Sequence, residues 1–279
     1  MDANALETIS ALHPSWDGNN RLLLLDLDHG KANEMGSEQL DAFDRLCELV
    51  ENSDAIRCVC TSSRRLSKRG TPIFISGANV KERVDWDDAR VKEHVHRQRT
   101  LMQRLRRLPV FTMALTHGVT LGWGVEFLLT ADYTLATQAA SLGLPETGLG
   151  IIPGARGSAE LRQLVGLAHA MRLGMTGERI DAAEALRIGL VQELHEDVDG
   201  ALARVHALAS MLAKKSPTAI AAFKAATLHG IGRSEDERLS AEAAGYELCV
   251  ESGEAAIGRA SFDAIRAGET PAWGARRRG

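Results

Sequence analysis

The first half of the chain alternates between short apolar runs and longer segments with helical periodicity. A strand is predicted over residues 21–27, followed by a helix that begins near Ser37 as its N-cap. The apolar positions of this helix recur every three to four residues: Leu40, Phe43, Cys47 and Val50. Two further strands are predicted over residues 56–60 and 72–75. The pattern is typical of a mixed α/β protein.

The same order of elements then recurs. A helix is predicted from Asp87 to Arg107, ending before Pro109, and a strand follows over residues 110–115. A second helix runs from residue 122 to 129, and another strand covers residues 133–136. Strand, turn, strand and helix repeat at intervals of roughly 40 residues, which favours a coiled, repetitive α/β core over a doubly wound sheet.

Beyond residue 197 the strand signals stop. Four helical patterns cover residues 200–214, 218–228, 236–251 and 254–267. We therefore expect an α/β core over residues 1–199 and a helical region over residues 200–279. Each apolar helix stripe must be buried, either on the chain's own core or on another subunit.

Composition and charge narrow the class of protein. The chain has 279 residues, is 44% hydrophobic and carries a net charge of −4. It is long enough to bury a large core, and it lacks the basic excess typical of nucleic-acid binding. The N-terminus lacks a basic leader pattern, and no apolar run approaches the ~20 residues of a membrane helix. We expect a cytoplasmic protein with neither nucleic acid nor membrane as a partner.

The four cysteines are expected to be core residues. Cys58 and Cys60 share a predicted strand, at a spacing that fits neither a redox pair nor a zinc site. Cys47 and Cys249 also lie in apolar surroundings. We interpret all four as small, reduced core side chains, and no metal site is predicted.

Residues 76–79, Ser-Gly-Ala-Asn, follow a predicted strand and precede a helical start. Small residues at such a turn let a ligand approach the main chain, so the N–H of Ser76 could face a carbonyl oxygen. A purely structural turn fits the same pattern.

Residues 117–126 form a glycine-rich turn that opens a helix. Unpaired N–H groups of a first helical turn stabilise negative charge, and Glu126 lies about one turn inside. Alternatively, Gly122 and Gly124 serve only close packing, and Glu126 faces water.

Glu146 lies in an apolar loop over residues 142–157 that is punctuated by glycine and proline. Burial of an isolated carboxylate is costly and raises its pKa toward the range useful for proton transfer. A loop acid that faces water is the alternative.

Taken together, these segments resemble the crotonase, or enoyl-CoA hydratase/isomerase, superfamily. Its motifs A-G-A-D, G-G-G-x-E and P-E before I-P-G-x-G-G appear here in the same order as S-G-A-N, G-W-G-V-E and P-E with I-P-G-A-R-G. Residues 31–33, Lys-Ala-Asn, resemble the family's coenzyme A loop, and residues 262–266 resemble its F-x-x-x-R helix.

The resemblance implies a spiral of β-β-α repeats followed by a helical trimerisation region, in a homotrimer or homohexamer. The N–H groups of Ser76 and Trp123 are expected to form an oxyanion hole for an acyl-CoA thioester. Glu126 and Glu146 are expected to hold water and exchange protons with the acyl group. The expected coenzyme A and substrate contacts are Lys31, Ala32, Ser76, Gly77, Ala78, Asn79 and Trp123. Coenzyme A belongs to the substrate, so no separate cofactor is expected.

The pair of glutamates favours a hydratase, a lyase of fatty acid metabolism, because family members that shift double bonds often keep one acid. A Δ3,Δ2-enoyl-CoA isomerase, or another enolate-forming family member, is the alternative enzyme. An RNA-binding relative is the non-enzymatic alternative, supported only by the basic stretch 64–69 and an arginine-rich helix. The acidic net charge argues against it.

Three residues depart from the family pattern. Trp123 replaces a glycine, and its indole is expected near the acyl or pantetheine pocket. Arg156 also replaces a glycine, and either an ion pair or recognition of an acidic acyl group would explain it. Asn79 replaces an acid but retains hydrogen bonding.

Overall fold

Six strands form the largest sheet of the structure, a computed structural model that describes residues 3–277. In spatial order they are β1 (Pro14–Asp17), β2 (Leu22–Leu27), β4 (Cys58–Ser63), β7 (Phe111–Thr116), β9 (Tyr133–Thr137) and β12 (Glu193–His195), numbered in chain order. Within this six-stranded sheet, only β1 runs antiparallel to its neighbour. The sequence did not predict β1, so the ordered part begins earlier than expected.

A second, four-stranded sheet lies against the first. Its strands in spatial order are β11 (Arg179–Asp181), β10 (Ser141–Gly143), β8 (Val119–Leu121) and β5 (Ile73–Ile75). Two short strands, β3 (Glu34–Met35) and β6 (Gly77–Ala78), form a separate parallel pair. Successive strands of the chain thus enter the two sheets in turn, β4 then β5, β7 then β8, β9 then β10. This confirms the predicted coiled, repetitive α/β core.

One short helix precedes the strands, and five helices lie between them. They are α1 (Ala3–Glu7), α2 (Ser37–Asn52), α3 (Asp88–Arg106), α4 (Trp123–Leu128), α5 (Gly157–Thr176) and α6 (Ala182–Arg187). The N-cap of α2 is Gly36 rather than Ser37, and its backbone N–H donates to Gln39 Oε1 at 2.9 Å. Asp87 caps α3 through its side chain, which accepts from the N–H of Arg90.

Ion pairs fix helix α3 against helix α2. Arg104 donates through Nε and Nη2 to Glu51 at 2.9 and 2.7 Å, and Arg97 donates to Asp44 at 3.2 Å. The arginine-rich helix is therefore held by acids of its own chain rather than forming a free basic face. This leaves less of that helix available to an RNA backbone.

Five further helices follow the last strand. They are α7 (Val198–Ala213), α8 (Pro217–His229), α9 (Glu235–Glu251), α10 (Glu254–Ala260) and α11 (Phe262–Arg266). The pattern predicted as one helix over residues 254–267 is two, separated at Ser261. Helix α7 packs on the six-stranded sheet through Ala201, Val205 and Ala209, and α8 packs on α9. The division into residues 1–199 and 200–279 stays a prediction.

Neither cysteine pairing nor a spanning helix occurs in the described part of the chain. All four cysteines lie within it and are free, with Cys47, Cys58 and Cys60 buried as predicted. Burial raises the pKa of the Cys47 thiol to about 12. Within residues 3–277, none of the helices combines the length and the apolar character needed to cross a bilayer.

Candidate active site

A cavity of about 660 Å³ opens between helix α3, the start of helix α4 and the loop after strand β10. Its wall includes six of the residues singled out from the sequence: Ser76, Gly77, Ala78, Trp123, Glu126 and Glu146. These residues lie on three separate turns of the spiral. The fold therefore brings together segments that are up to 70 positions apart in the chain.

Glu126 lies in the first turn of α4, whose six residues are all buried. Its side chain is 3% exposed, and Oε1 accepts a hydrogen bond of 2.7 Å from the backbone N–H of Gly157. Burial raises the pKa of Glu126 to about 7, and the nearby Glu146 adds to the rise. The N–H of Gly157 and the charge of Arg99 oppose it. The carboxyl group thus titrates near neutral pH, where a group that exchanges protons works best.

Glu146 lies in a short 3-10 helix, Pro145–Leu149, and is 8% exposed. Burial raises the pKa of its carboxyl group. Its Oε2 atom is buried and has no hydrogen-bond partner among the described residues. A buried polar atom without a protein partner, on a cavity wall, is suited to contact a bound water or substrate. The side chain does not face bulk water, as the alternative interpretation required.

Two glycines make room for the carboxylates. Gly122 has a φ of 52°, and a Cβ atom there would lie 2.7 Å from Glu146 Oε1. A Cβ atom on Gly157 would lie 2.8 Å from Glu126 Oε1. Any side chain at either position would displace a carboxylate, so these glycines serve the geometry of the acids themselves.

The prediction that Ser76 supplies a free oxyanion donor is wrong. Its backbone N–H donates to the carbonyl of Ala32 at 3.2 Å, so this donor is already engaged. Ser76 still lines the cavity. The pairing partner lies 44 positions earlier in the chain, and local sequence could not reveal it.

Ala78 offers a better-placed donor on the same turn. The N–H of Asn79 donates to the carbonyl of Met35 at 2.8 Å, across the parallel pair of β6 and β3. Successive N–H groups of an extended strand point to opposite edges, so the N–H of Ala78 points away from β3. Ala78 lines the cavity. Gly77 has a φ of 129°, so the alternation of N–H directions does not extend from Ala78 back to Ser76.

Trp123 begins helix α4, so its N–H has no acceptor within the helix. The indole was expected near the acyl or pantetheine pocket, but most of it is buried in the core. It is 2% exposed and packs with Phe43 and Phe127, at ring-centroid distances of 6.2 and 5.6 Å. The ring therefore belongs mainly to the core, and the role of the Trp123 N–H as an oxyanion donor stays a prediction.

The predicted coenzyme A loop lies beside the site rather than in it. Three of the predicted contact residues do not line the cavity: Lys31, Ala32 and Asn79. Lys31 is exposed, and its carbonyl accepts from Arg65 Nε at 3.3 Å. Ala32 is linked to the site through its bond with Ser76. Their contact with coenzyme A stays a prediction.

The sequence interpretation missed two polar residues of the cavity wall, Arg83 and Gln98, and it placed Arg99 only in an arginine-rich helix face. Helical spacing places Gln98 and Arg99 on one face with Val91 and Val95, a signal that was available. Arg99 donates through Nε to the carbonyl of Gly154 at 3.0 Å and so holds the loop that follows Glu146.

Arg156 forms an ion pair with Glu160, one turn further along helix α5. Arg106 approaches the same carboxylate at 3.5 Å. Arg156 does not line the cavity. Of the two explanations offered for this residue, the structure shows the ion pair.

Within residues 3–277, no group of three or more His, Cys, Asp or Glu side chains is arranged to hold a metal ion. The chemistry that the cavity residues themselves can carry out is proton exchange by two buried acids, next to backbone N–H groups that stabilise an oxyanion.

Comparison with known proteins agrees with this arrangement. Residues 24–267 match the family model described as enoyl-CoA hydratase/isomerase. The chain is 32% identical over 249 residues to a putative enoyl-CoA hydratase/isomerase, YngF, of Bacillus subtilis, covering 89% of this chain and 94% of that protein. It is 28% identical to a short-chain-enoyl-CoA hydratase of Clostridium acetobutylicum, covering 82% and 86%.

Two solved structures show the same fold. An enoyl-CoA hydratase from Bacillus anthracis superposes with a TM-score of 0.82 at 30% identity, covering 91% of this chain and 95% of that chain. DspI from Pseudomonas aeruginosa superposes with a TM-score of 0.84 at 28% identity, covering 95% and 97%.

Proposed function

The chain belongs to the enoyl-CoA hydratase/isomerase family, whose members act on acyl-CoA thioesters, and from this premise we propose that it is an enoyl-CoA hydratase. The reaction adds water reversibly across the C=C bond of an α,β-unsaturated acyl-CoA. One observation carries the proposal. Glu126 and Glu146 are both nearly fully buried on the wall of one cavity, and burial raises the pKa of each.

The two acids have complementary tasks in this reaction. One carboxylate accepts a proton from water as the water oxygen attacks the β carbon, and the other carboxyl group delivers a proton to the α carbon. The Glu126 pKa of about 7 allows either protonation state near neutral pH. This suits a reaction that runs in both directions, because each acid must then both give and receive a proton.

Negative charge that develops on the thioester oxygen needs hydrogen-bond donors. We assign this role to the backbone N–H groups of Trp123 and Ala78, with Ala78 in place of Ser76. Each donor would stabilise the transition state by about 3 kcal/mol, by analogy with other oxyanion holes. The thioester carbonyl would then lie between strand β6 and the start of helix α4.

The proposal involves only this chain and its substrate. Coenzyme A enters as part of the substrate, with Lys31 and Ala32 as its proposed contacts, and no further cofactor is invoked. A cytoplasmic location remains a prediction from the sequence.

We further propose a homotrimer or homohexamer. Three large aromatic side chains of the C-terminal helices are strongly exposed: Phe223 at 76%, Tyr246 at 72% and Phe262 at 60%. Burying such side chains against another subunit is favourable. The C-terminal helices would thus supply part of the subunit interface.

A panel of enoyl-CoA thioesters with mass detection tests the proposed reaction. A hydratase converts a 2-enoyl-CoA to a product heavier by one water. An isomerase converts a 3-enoyl-CoA to a 2-enoyl-CoA of unchanged mass. The variants Glu126→Gln and Glu146→Gln serve as matched controls, because each keeps the side-chain volume. Isomerisation without water addition, or hydration that survives both substitutions, would contradict the proposal.

A further inference from the structure

On the cavity wall, two guanidinium nitrogens of Arg83 are buried and have no acceptor in the part of the chain that the structure describes. Arg83 ends the 3-10 helix Val80–Arg83, and its Nε and Nη2 atoms are buried without a hydrogen-bond partner among the described residues. Burial lowers the pKa of Arg83, and the charge of Glu82 opposes this. A buried N–H donor is normally paired. The described residues provide no acceptor for these two donors, so a ligand could supply it.

Two other arginines of this chain show what this pair of atoms binds. Arg104 uses Nε and Nη2 to hold Glu51, at 2.9 and 2.7 Å. Arg204 uses Nε and Nη2 to hold Glu193, at 3.0 and 2.8 Å. The two N–H groups form a planar fork that matches the two oxygens of a carboxylate. In Arg83 the same fork is present, and the carboxylate is missing.

The same cavity wall holds a further unpaired donor and a second arginine. Gln98 lies on the same cavity wall, is 3% exposed, and its Nε2 atom has no partner within the described residues. Arg99 adds a second positive charge to the wall. Glu82 accepts from the N–H and the hydroxyl of Ser37 at 3.1 and 2.9 Å and does not accept from Nε or Nη2 of Arg83. Glu34 also lines the cavity, but it does not accept from Nε or Nη2 of Arg83, which have no partner within residues 3–277.

We propose that Arg83 and Gln98 form a carboxylate-binding subsite on the cavity wall. The substrate would be an unsaturated dicarboxylic acid with one end joined to coenzyme A and the other end a free carboxylate. Because Nε and Nη2 are buried, the Arg83 side chain would rotate on the cavity wall to bring its fork to that carboxylate. A neutral acyl chain leaves the buried donors unpaired, which disfavours it. The unsaturated thioester end of this substrate rests on the proposed function, whereas the binding of its free carboxylate does not.

Binding of two saturated thioesters tests the subsite without catalysis. Glutaryl-CoA and pentanoyl-CoA have five acyl carbons each, differ in the terminal carboxylate, and lack the double bond. Isothermal titration calorimetry should give a Kd at least about tenfold lower for glutaryl-CoA. The Arg83→Met variant should abolish this preference, and Arg83→Lys, which keeps the charge but not the fork, should reduce it. Gln98→Leu should also reduce it.

Arg90→Met is the matched control. Arg90 is an exposed arginine at the start of helix α3, stacks over Trp86 at 4.3 Å and does not line the cavity. Its loss removes the same charge and should leave the ratio of the two dissociation constants unchanged. Equal affinity of the wild-type protein for both thioesters, or the same loss of preference in Arg90→Met as in Arg83→Met, would overturn the subsite.

Turnover separates this inference from the proposed function. Pent-2-enoyl-CoA and its ω-carboxylated counterpart, pent-2-enedioyl-CoA, are compared as substrates of the wild-type protein. Hydration of pent-2-enoyl-CoA with no preference for glutaryl-CoA in binding refutes the subsite and leaves the hydratase standing. Preference for glutaryl-CoA with hydration of neither substrate supports the subsite and refutes the hydratase.

Discussion

Replacing Glu126 by Gln should stabilise the fold at alkaline pH while it removes activity. Burial raises the pKa of Glu126 to about 7 in the folded protein, against an ordinary value of 4.5. The folded state therefore holds its proton more tightly than the unfolded state. Stability is lost as pH rises from about 4.5 through 7, and above that the penalty is constant. Gln has the same volume, keeps an oxygen for the N–H of Gly157 and never ionises.

The pKa difference sets the size of the effect. Each unit of pKa difference is worth about 1.36 kcal/mol. The loss of unfolding free energy caused by Glu126 is therefore ~3 kcal/mol above pH 8 and under ~1 kcal/mol at pH 5. The gain in unfolding free energy of Glu126→Gln over wild type should therefore grow by about 2.5 kcal/mol between pH 5 and pH 9. Urea denaturation at several pH values measures it. Comparing differences between two pH values cancels any effect of the substitution that does not depend on pH.

Glu184→Gln provides a control in the opposite direction. Hydrogen bonds from Arg187 and Arg172 lower the pKa of Glu184 to about 2. Both this value and the ordinary value of 4.5 lie below the range of the experiment. The stability change of Glu184→Gln should thus be nearly constant from pH 5 to pH 9. A pH-independent change in Glu126→Gln as well would refute the assignment of a buried, neutral-range carboxyl group at position 126.

Four further outcomes follow from the site and the proposed assembly. Glu146→Gln should keep the fold and lower kcat by roughly 10²–10⁴, and an unchanged kcat would remove Glu146 from the reaction. Gly122→Ala should cost at least about tenfold in kcat, because its Cβ would lie 2.7 Å from Glu146 Oε1, and full activity would contradict that contact. Trp123→Gly retains the backbone donor but should lose about 3–5 kcal/mol of stability in urea denaturation, since the indole fills the core, and wild-type stability would contradict this packing. Light scattering should give the mass of three or six chains, and deleting residues 258–279 should weaken assembly, whereas an active monomer would rule the interface out.

Much of the fold was predictable because it depends on local periodicity. Five strands of the core, β2, β4, β5, β7 and β9, and the helices α2, α3 and α4 were placed from apolar patterns within a few residues of their bounds. The other strands, β1, β3, β6, β8, β10, β11 and β12, were missed because two to four residues give little periodic signal. Helix α5 was also missed, and it contains Gly166 in a non-helical conformation. The single helix predicted over residues 254–267 was wrong because apolar spacing continues across the break at Ser261.

The candidate site was also predictable only where local sequence determines it. Glu126 and Glu146 were identifiable because acids in apolar, glycine-rich segments are rare, and their shared cavity follows from the fold. The direction of a backbone N–H does not follow from sequence, since Ser76 is engaged by Ala32 far away in the chain. The side-chain direction of Trp123 depends likewise on an aromatic cluster with Phe43 that only the folded chain assembles.

Water labelled with ¹⁸O tests the central claim most directly. The wild-type protein is incubated with a 2-enoyl-CoA in H₂¹⁸O, and the product is compared with that of Glu126→Gln and Glu146→Gln by mass spectrometry. We expect a 3-hydroxyacyl-CoA that carries one ¹⁸O on the β carbon, formed by the wild type and suppressed in both variants. A product without the label, or labelled product formed equally by either variant, would contradict the account.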